Sequence, residues 1–520
     1  MRLYKMDIKI LISTLFIILI STSLGVMHVD VVTQSPFFLY ENYIYIFSIL
    51  ITALLIFLEG RSFSIVFLVS ILWALVLLLP FTLYYEFPVY NDQLGFVAET
   101  LIGIVSGRVS PVQGDWTTLG HAYFTSIFSI TGGFHGLQGV VAVQLTMPVL
   151  YLLQLLSIGR GPPFNRALVA VLALAFLLDP LMYGRGSFAR FFWLLYTVYL
   201  YNRMMQDEGG RSSSVIIALI VYIAYAISHP TSVVIPIATA GVALLNRRFI
   251  PLALATLLGW AAVNVIFYLS GSFYSLIRQI MSLIEQPASP TSALIISTAN
   301  PVMKAYNYLR ETVVALGFLV GLIAAVTVSK STDKRSKPWT FLYFVFVILQ
   351  VAALLANRWG MVPYTLYVLG VLPPLVSTAL SYGRLKLTLF LLSLLLLLAA
   401  PAVKWGASMI FFPTLNDTAL ADYLTSFSSP REQICTSGAH ALTDFYKQLR
   451  AVDVSFNAID PLPIARSAQL EQCKYVAVFY KSFNVYRLDI SETQLRDALA
   501  ALDKNLSIIY RNGLWTTWLK

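Results

Sequence analysis

Long apolar runs, separated by short polar clusters, fill the chain from its start to about residue 413. The hydrocarbon core of a bilayer is about 30 Å thick and takes roughly 20 helical residues to cross. Runs of that kind lie near residues 8–27, 43–58, 63–85, 137–158, 166–183, 187–202, 213–229, 231–246, 249–270, 306–329, 339–356, 360–381 and 385–412. The pattern therefore predicts an α-helical polytopic membrane protein of about 13 transmembrane helices. Residues 1–27 also fit a cleaved signal peptide, with "MRLYK" ahead of an apolar stretch. The length of that stretch favours a retained span.

After "FFPTLND" the pattern changes to short alternating segments. "EQICTSG", "VDVSFNAI", "YVAVFYK" and "LSIIYRNG" read as strands, whereas "TALADYLTSF", "ALTDFYKQLR" and "SETQLRDALAALDK" read as helices, the last with Ser491 as N-cap. Two domains are expected. Residues 1–413 form the multi-span part, with a long external loop at 86–136, and residues 414–520 form a small α/β domain.

The composition agrees with this reading. Of 520 residues, 58% are hydrophobic and 12% charged, whereas soluble domains carry about 25% charged residues. The net charge of +10 is scattered between apolar runs instead of forming a stripe, which excludes nucleic acid as a partner. The cations instead mark topology. Arg2 and Lys5, Arg61, Arg160 and Arg166, Arg203 and Arg211, Arg247 and Arg248, Lys330 to Lys337, and Arg384 and Lys386 occupy every second loop. Cytoplasmic loops collect Lys and Arg. The protein is thus expected in the cell membrane with a cytoplasmic N-terminus and an extracytoplasmic C-terminal domain.

That domain holds the only two cysteines, Cys435 and Cys473. In an oxidising compartment they are disulfide candidates; two separate buried thiols are the alternative. No CxxC or HExxH spacing occurs.

Ionisable groups at membrane depth are costly and mark function by default. On the expected outer side these are Asp92, Asp115, His121, Asp179, Arg185, Arg190, His229, Glu285 and Arg358. Each has a plain structural reading as well. Asp92 caps a helix, Asp179 precedes Pro180 in a turn, His229 precedes Pro230 between two spans, and Arg358 snorkels to the interface. Behind Asp92, residues Leu94, Val97, Ala98, Leu101 and Val105 share one helical face, so 93–106 is expected to lie in the interface.

The order of these features resembles the GT-C superfamily of integral-membrane glycosyltransferases, similar in fold to protein mannosyltransferases, aminoarabinose transferases and oligosaccharyltransferases. Asp92, the helix "QLGFVAETLIGIVSG", "SHPTS", "NRWGMVPYTLYVLGVLPPL" and the closing "IIYRNGLWTTWLK" carry the likeness. It differs in three respects: further spans precede the acid, "WWDYG" is absent from the tail, and the usual paired acidic residues are reduced to "ND". The resemblance implies a sugar donor linked to polyprenyl (dolichyl) phosphate and a protein, glycan or lipid acceptor. It implies Asp92 as general base in an inverting transfer, with Arg358, Arg185 and His229 on the donor phosphate. A divalent cation would need a second acid, for which Asp179, Asp115 and Glu285 are candidates. The competing classes are a transporter or flippase of lipid-linked intermediates and a catalytically inactive membrane scaffold. Neither internal repeats nor paired broken helices support the transporter.

Overall fold

The computed structural model of the chain describes residues 120–134, 137–158, 185–206, 212–269, 301–330, 337–355, 361–381 and five strands between 433 and 519, with shorter pieces around 97–104, 388–395, 419–426, 473–474 and 497–506. What it describes is mostly helical. The helices are α1 (Gly120–Gly132), α2 (Leu137–Leu156), α3 (Arg185–Gln206), α4 (Ser212–Ala226), α5 (Val234–Leu245), α6 (Ile250–Leu269), α7 (Pro301–Ser329), α8 (Lys337–Leu355) and α9 (Met361–Ser381). From α2 onward each coincides within a few residues with an apolar run. The runs at 8–27, 43–58, 63–85 and 166–183 lie outside the described residues, as does most of 385–412.

The chain chemistry explains where these helices stop. α4 ends at Ala226, just ahead of "ISHP". A proline donates no N–H and disfavours helical backbone in the residue before it. The chain reverses through a 3-10 turn at Pro230–Val233 and enters α5. α5 closes at Asn246, whose side chain accepts from the Arg248 N–H at 3.2 Å and starts a second 3-10 turn leading to α6.

α3 runs through the middle of the bundle against α2, α4 and α9, and α9 in turn packs on α7 and α8. Buried aromatic side chains fill these contacts. Trp193 of α3 meets Phe346 of α8 edge-on at 5.7 Å, and Tyr201 meets Trp339 at 5.7 Å. Tyr343 of α8 donates its hydroxyl to Phe318 O of α7 at 2.6 Å. Apolar side chains also line outward faces of the described helices. Ile216, Ile220 and Ile223 of α4, and Leu254, Leu257, Leu258, Val265 and Ile266 of α6, are all exposed. Continuous apolar surface of this kind belongs to helices solvated by lipid. Among the described residues one helical stretch, Arg247–Ile266, is long and apolar enough to cross a membrane, and the other apolar stretches are shorter. α7 shows why, since its first half, "PVMKAYNYLRETVV", is polar and only Ala315–Ser329 is a pure apolar run.

The tail contains one mixed sheet of β1 (Gln433–Ser437), β2 (Ser455–Ala458), β3 (Tyr475–Phe479), β4 (Ser507–Asn512) and β5 (Trp515–Leu519), in the order β2-β1-β3-β5-β4. β1 pairs in parallel with β2 and β3, and β5 antiparallel with β3 and β4. Parallel neighbours need crossovers of about a dozen residues or more, which the chain between these strands supplies. A disulfide joins Cys435 in β1 to Cys473 just before β3, with Cα atoms 5.7 Å apart, and both residues are buried.

Candidate functional site

The stretch 86–136, read from sequence as a loop, contains a helix. In α1 the residues His121, Thr125 and Ser129, spaced by four, turn inward and are buried together with Ala122 and Ser126. Ser129 Oγ donates to Thr125 O at 2.6 Å, so its hydroxyl is satisfied within the helix. Small inward residues let neighbours approach closely. A Cβ on Gly139 of α2 would fall 2.7 Å from Ser129 Cβ.

The helical residues behind Asp92 close over this pair. Val97, Thr100 and Leu101 are buried, and Ser126 Oγ of α1 donates to Thr100 O at 3.3 Å. Ile104 reaches within 3.7 Å of the Cβ position of Gly139. Val97 and Leu101 are two of the residues whose spacing predicts an apolar face at the membrane interface; these two are buried within the protein.

The start of α1 is tied to the end of α4. Gly120 N donates to Ile227 O at 2.8 Å, and a Cβ at residue 120 would meet Ser228 Cα at 2.8 Å. His229, half-buried, follows at once; its N–H donates to Tyr225 O at 3.0 Å, and its carbonyl accepts from Ser232 N at 3.3 Å. One turn into α1, Phe124 stacks on Phe188 at 6.1 Å and leans on Phe192 at 5.3 Å, both on α3.

Arg190 lies between those two phenylalanines in sequence. Its half-buried guanidinium interacts electrostatically with Tyr151 of α2, which in turn feels Tyr225 of α4. Both tyrosines are buried. A half-buried cation beside a buried tyrosine carries a desolvation cost. Guanidinium also offers a planar fork of donors suited to phosphate.

Four segments far apart in sequence thus converge. They are the helix behind Asp92, α1 with His121, the first turns of α3, and the α4–α5 turn with His229. Arg185 opens α3 and so belongs to this end of the bundle by position. Asp92, Asp115, Asp179, Glu285 and Arg358 lie outside the described residues. Cys435 and Cys473 are in the tail sheet. Sequence reasoning passed over α1 as an element and ranked Arg185 above Arg190. The signal available was the spacing of His121, Thr125 and Ser129 in "GHAYFTSIFS".

Among the described residues no three His, Cys, Asp or Glu side chains come close enough to hold a metal ion. The described part of the site, two histidines and an arginine among hydroxyls, does not suit a hard divalent cation, which takes oxygen ligands with carboxylates among them.

No family model matches the chain, and no curated protein matches it. Solved structures that it resembles include ArnT from Cupriavidus metallidurans in the apo state, at 15% identity and TM-score 0.37, covering 88% of this chain and 97% of that one. ArnT from the same organism bound to undecaprenyl phosphate is similar at 12% identity and TM-score 0.34, with the same coverage. TM-scores this low assign neither fold nor ligand to this chain.

Proposed function

We propose that the protein is a membrane glycosyltransferase that takes a sugar from a polyprenyl-phosphate-linked donor at the outer face of the membrane. The observation that carries this reading is the docking of the helix behind Asp92 onto α1, whose first residue is bonded to Ile227 beside His229. On this reading Asp92, which precedes that helix in sequence, acts at the end of the bundle where the half-buried Arg190 lies.

The chemistry follows from those charges. The Asp92 carboxylate takes the proton of the acceptor hydroxyl as its oxygen bonds to the anomeric carbon. The bond from that carbon to the donor phosphate breaks, and the electron pair leaves with the phosphate. Arg190 stabilises the released charge, with Arg185, Arg358 and His229 as further cationic groups. A single displacement inverts the anomeric configuration. The acceptor is a protein, glycan or lipid. Residues 1–413 act as the catalytic membrane domain and 414–520 as an extracytoplasmic α/β domain.

The test is sugar transfer in membranes from a labelled polyprenyl-phosphate sugar, comparing wild type with Asp92→Asn at matched expression. Loss of a general base costs about 100- to 10,000-fold, and that loss with unchanged thermal unfolding is the expected result. Equal transfer by both proteins would remove Asp92 from the mechanism. Absence of transfer by wild type with every such donor would overturn the reading.

A further inference from the structure

α1 is built inside out for a helix in water. Its inward face is polar or small, with His121, Thr125 and Ser129 at 0% exposure. Its outward arc is Tyr123, Ile127, Phe128 and Ile130, with the two isoleucines at 59% and 58%. A surface helix in water turns these two faces the other way. No acidic residue lies in its first turn and no basic residue in its last, and the sequence "GHAYFTSIFSITG" contains no Asp, Glu, Lys or Arg.

We infer that α1 is seated in the bilayer, with the arc Tyr123, Ile127 and Ile130 against lipid acyl chains. Three observations favour lipid over water or protein as the occupant. The arc begins against the end of α4, where Gly120 is bonded to Ile227, and α4 itself turns Ile216, Ile220 and Ile223 outward. The arc therefore adjoins an apolar surface of the kind that lipid solvates. Next, the exposed Thr131 hydroxyl beside it donates back to Ile127 O at 2.7 Å and Phe128 O at 3.2 Å. A hydroxyl facing hydrocarbon must be satisfied within its own helix. Last, Gly133 takes φ +70 and the chain returns at once into α2. With 13 residues, α1 is roughly 20 Å long and too short for a hydrocarbon core of about 30 Å. α1 by itself therefore does not cross the bilayer.

The seating fixes the depth of the candidate site. Ser126, on the buried side of α1, holds the helix behind Asp92, so that helix rides at the membrane surface on a lipid-anchored support. This inference rests on the packing of α1 and stands whether or not the protein transfers sugars.

The only two cysteines of the chain are bound to each other, so an introduced cysteine is a unique labelling site. Full-length Ile127→Cys, Ile130→Cys and, as an exposed position in the tail, Lys504→Cys are spin-labelled and reconstituted in phosphatidylcholine and phosphatidylglycerol vesicles. Power saturation then compares collisions with oxygen, which concentrates in hydrocarbon, and with a water-soluble nickel chelate. The expected result is that oxygen dominates at 127 and 130 and the chelate at 504. Chelate access at 127 and 130 equal to that at 504 would overturn the inference in favour of water. Exclusion of both reagents, with dipolar broadening between labels, would overturn it in favour of a second copy of the chain. Tyr123→Cys gives the same readout if either isoleucine variant fails to fold.

Discussion

The indole of Trp193 in α3 lies where a side chain on residue 370 of α9 would have to go. A Cβ built on Gly370 would fall 2.7 Å from Trp193 Cε2 and closer still to its Nε1. Gly370 precedes the prolines 373 and 374 inside α9, where two helical hydrogen bonds are already missing. A buried tryptophan wedged between α8 and α9 cannot step aside. Gly370→Ala is expected to cost about 1–3 kcal/mol by overpacking, read as a lower Tm in detergent. Trp193→Phe added to it should recover part of the loss, since the two residues touch.

Gly120 is a second place where only hydrogen fits, but the obstacle there is backbone. A Cβ would meet Ser228 Cα at 2.8 Å and Ile227 O at 2.9 Å. Gly120→Ala should therefore lift α1 from α4 and leave the bundle intact. Sugar transfer is expected to fall sharply with little change in Tm. A variant with full transfer would show that the docking of α1 does not matter to the site.

Arg190 separates a charge role from a packing role. Removing one group that stabilises developing charge costs on the order of 100-fold in rate, and that loss of transfer is expected for Arg190→Ala. Arg190→Lys keeps the charge but lacks the planar fork, so it should recover only part of the activity. Full recovery would point to simple charge neutralisation, and no recovery to bidentate geometry. Steady-state transfer with matched Tm values decides between them.

The disulfide clamps the sheet across a sequence separation of 38. Closing a loop of that size restricts the unfolded chain and stabilises by about 2–4 kcal/mol. Cys435→Ser with Cys473→Ser should make the tail the first part to open on heating, as read by protease cleavage between β1 and β3. Cleavage matching wild type would contradict this.

Alkaline pH should loosen the same sheet. Glu432 accepts a hydrogen bond from Lys474 and raises its pKa above the ordinary 10.5. Burial first, and then the Glu432 charge, raises Tyr475 above 10.0. In both residues the folded state holds its proton more tightly than the unfolded state. Their contribution is therefore complete below the ordinary values and is lost as pH rises through the raised ones. Near-ultraviolet circular dichroism of the whole protein, titrated upward through this range, should show a shallower loss for Glu432→Gln than for wild type.

Local patterns in the sequence determined the helices α2 to α9 and the strands β1 to β4. Apolar runs and short strand-like stretches depend on near neighbours alone, and they fall where the structure has these elements. Positions such as Val97 and Leu101 could be assigned to a buried face by spacing, though not to what they are buried against. Tertiary structure decided the rest. α1 escaped hydropathy because half of its residues are Gly, Ser, Thr or His; their burial depends on partners at residues 100, 139 and 227. Arg190 could not be told from Arg185 by sequence, because what distinguishes it is its interaction with the buried Tyr151 of α2. Periodicity reports which way a side chain faces on its own element, whereas a site forms where faces of several elements meet, and that meeting is a property of packing.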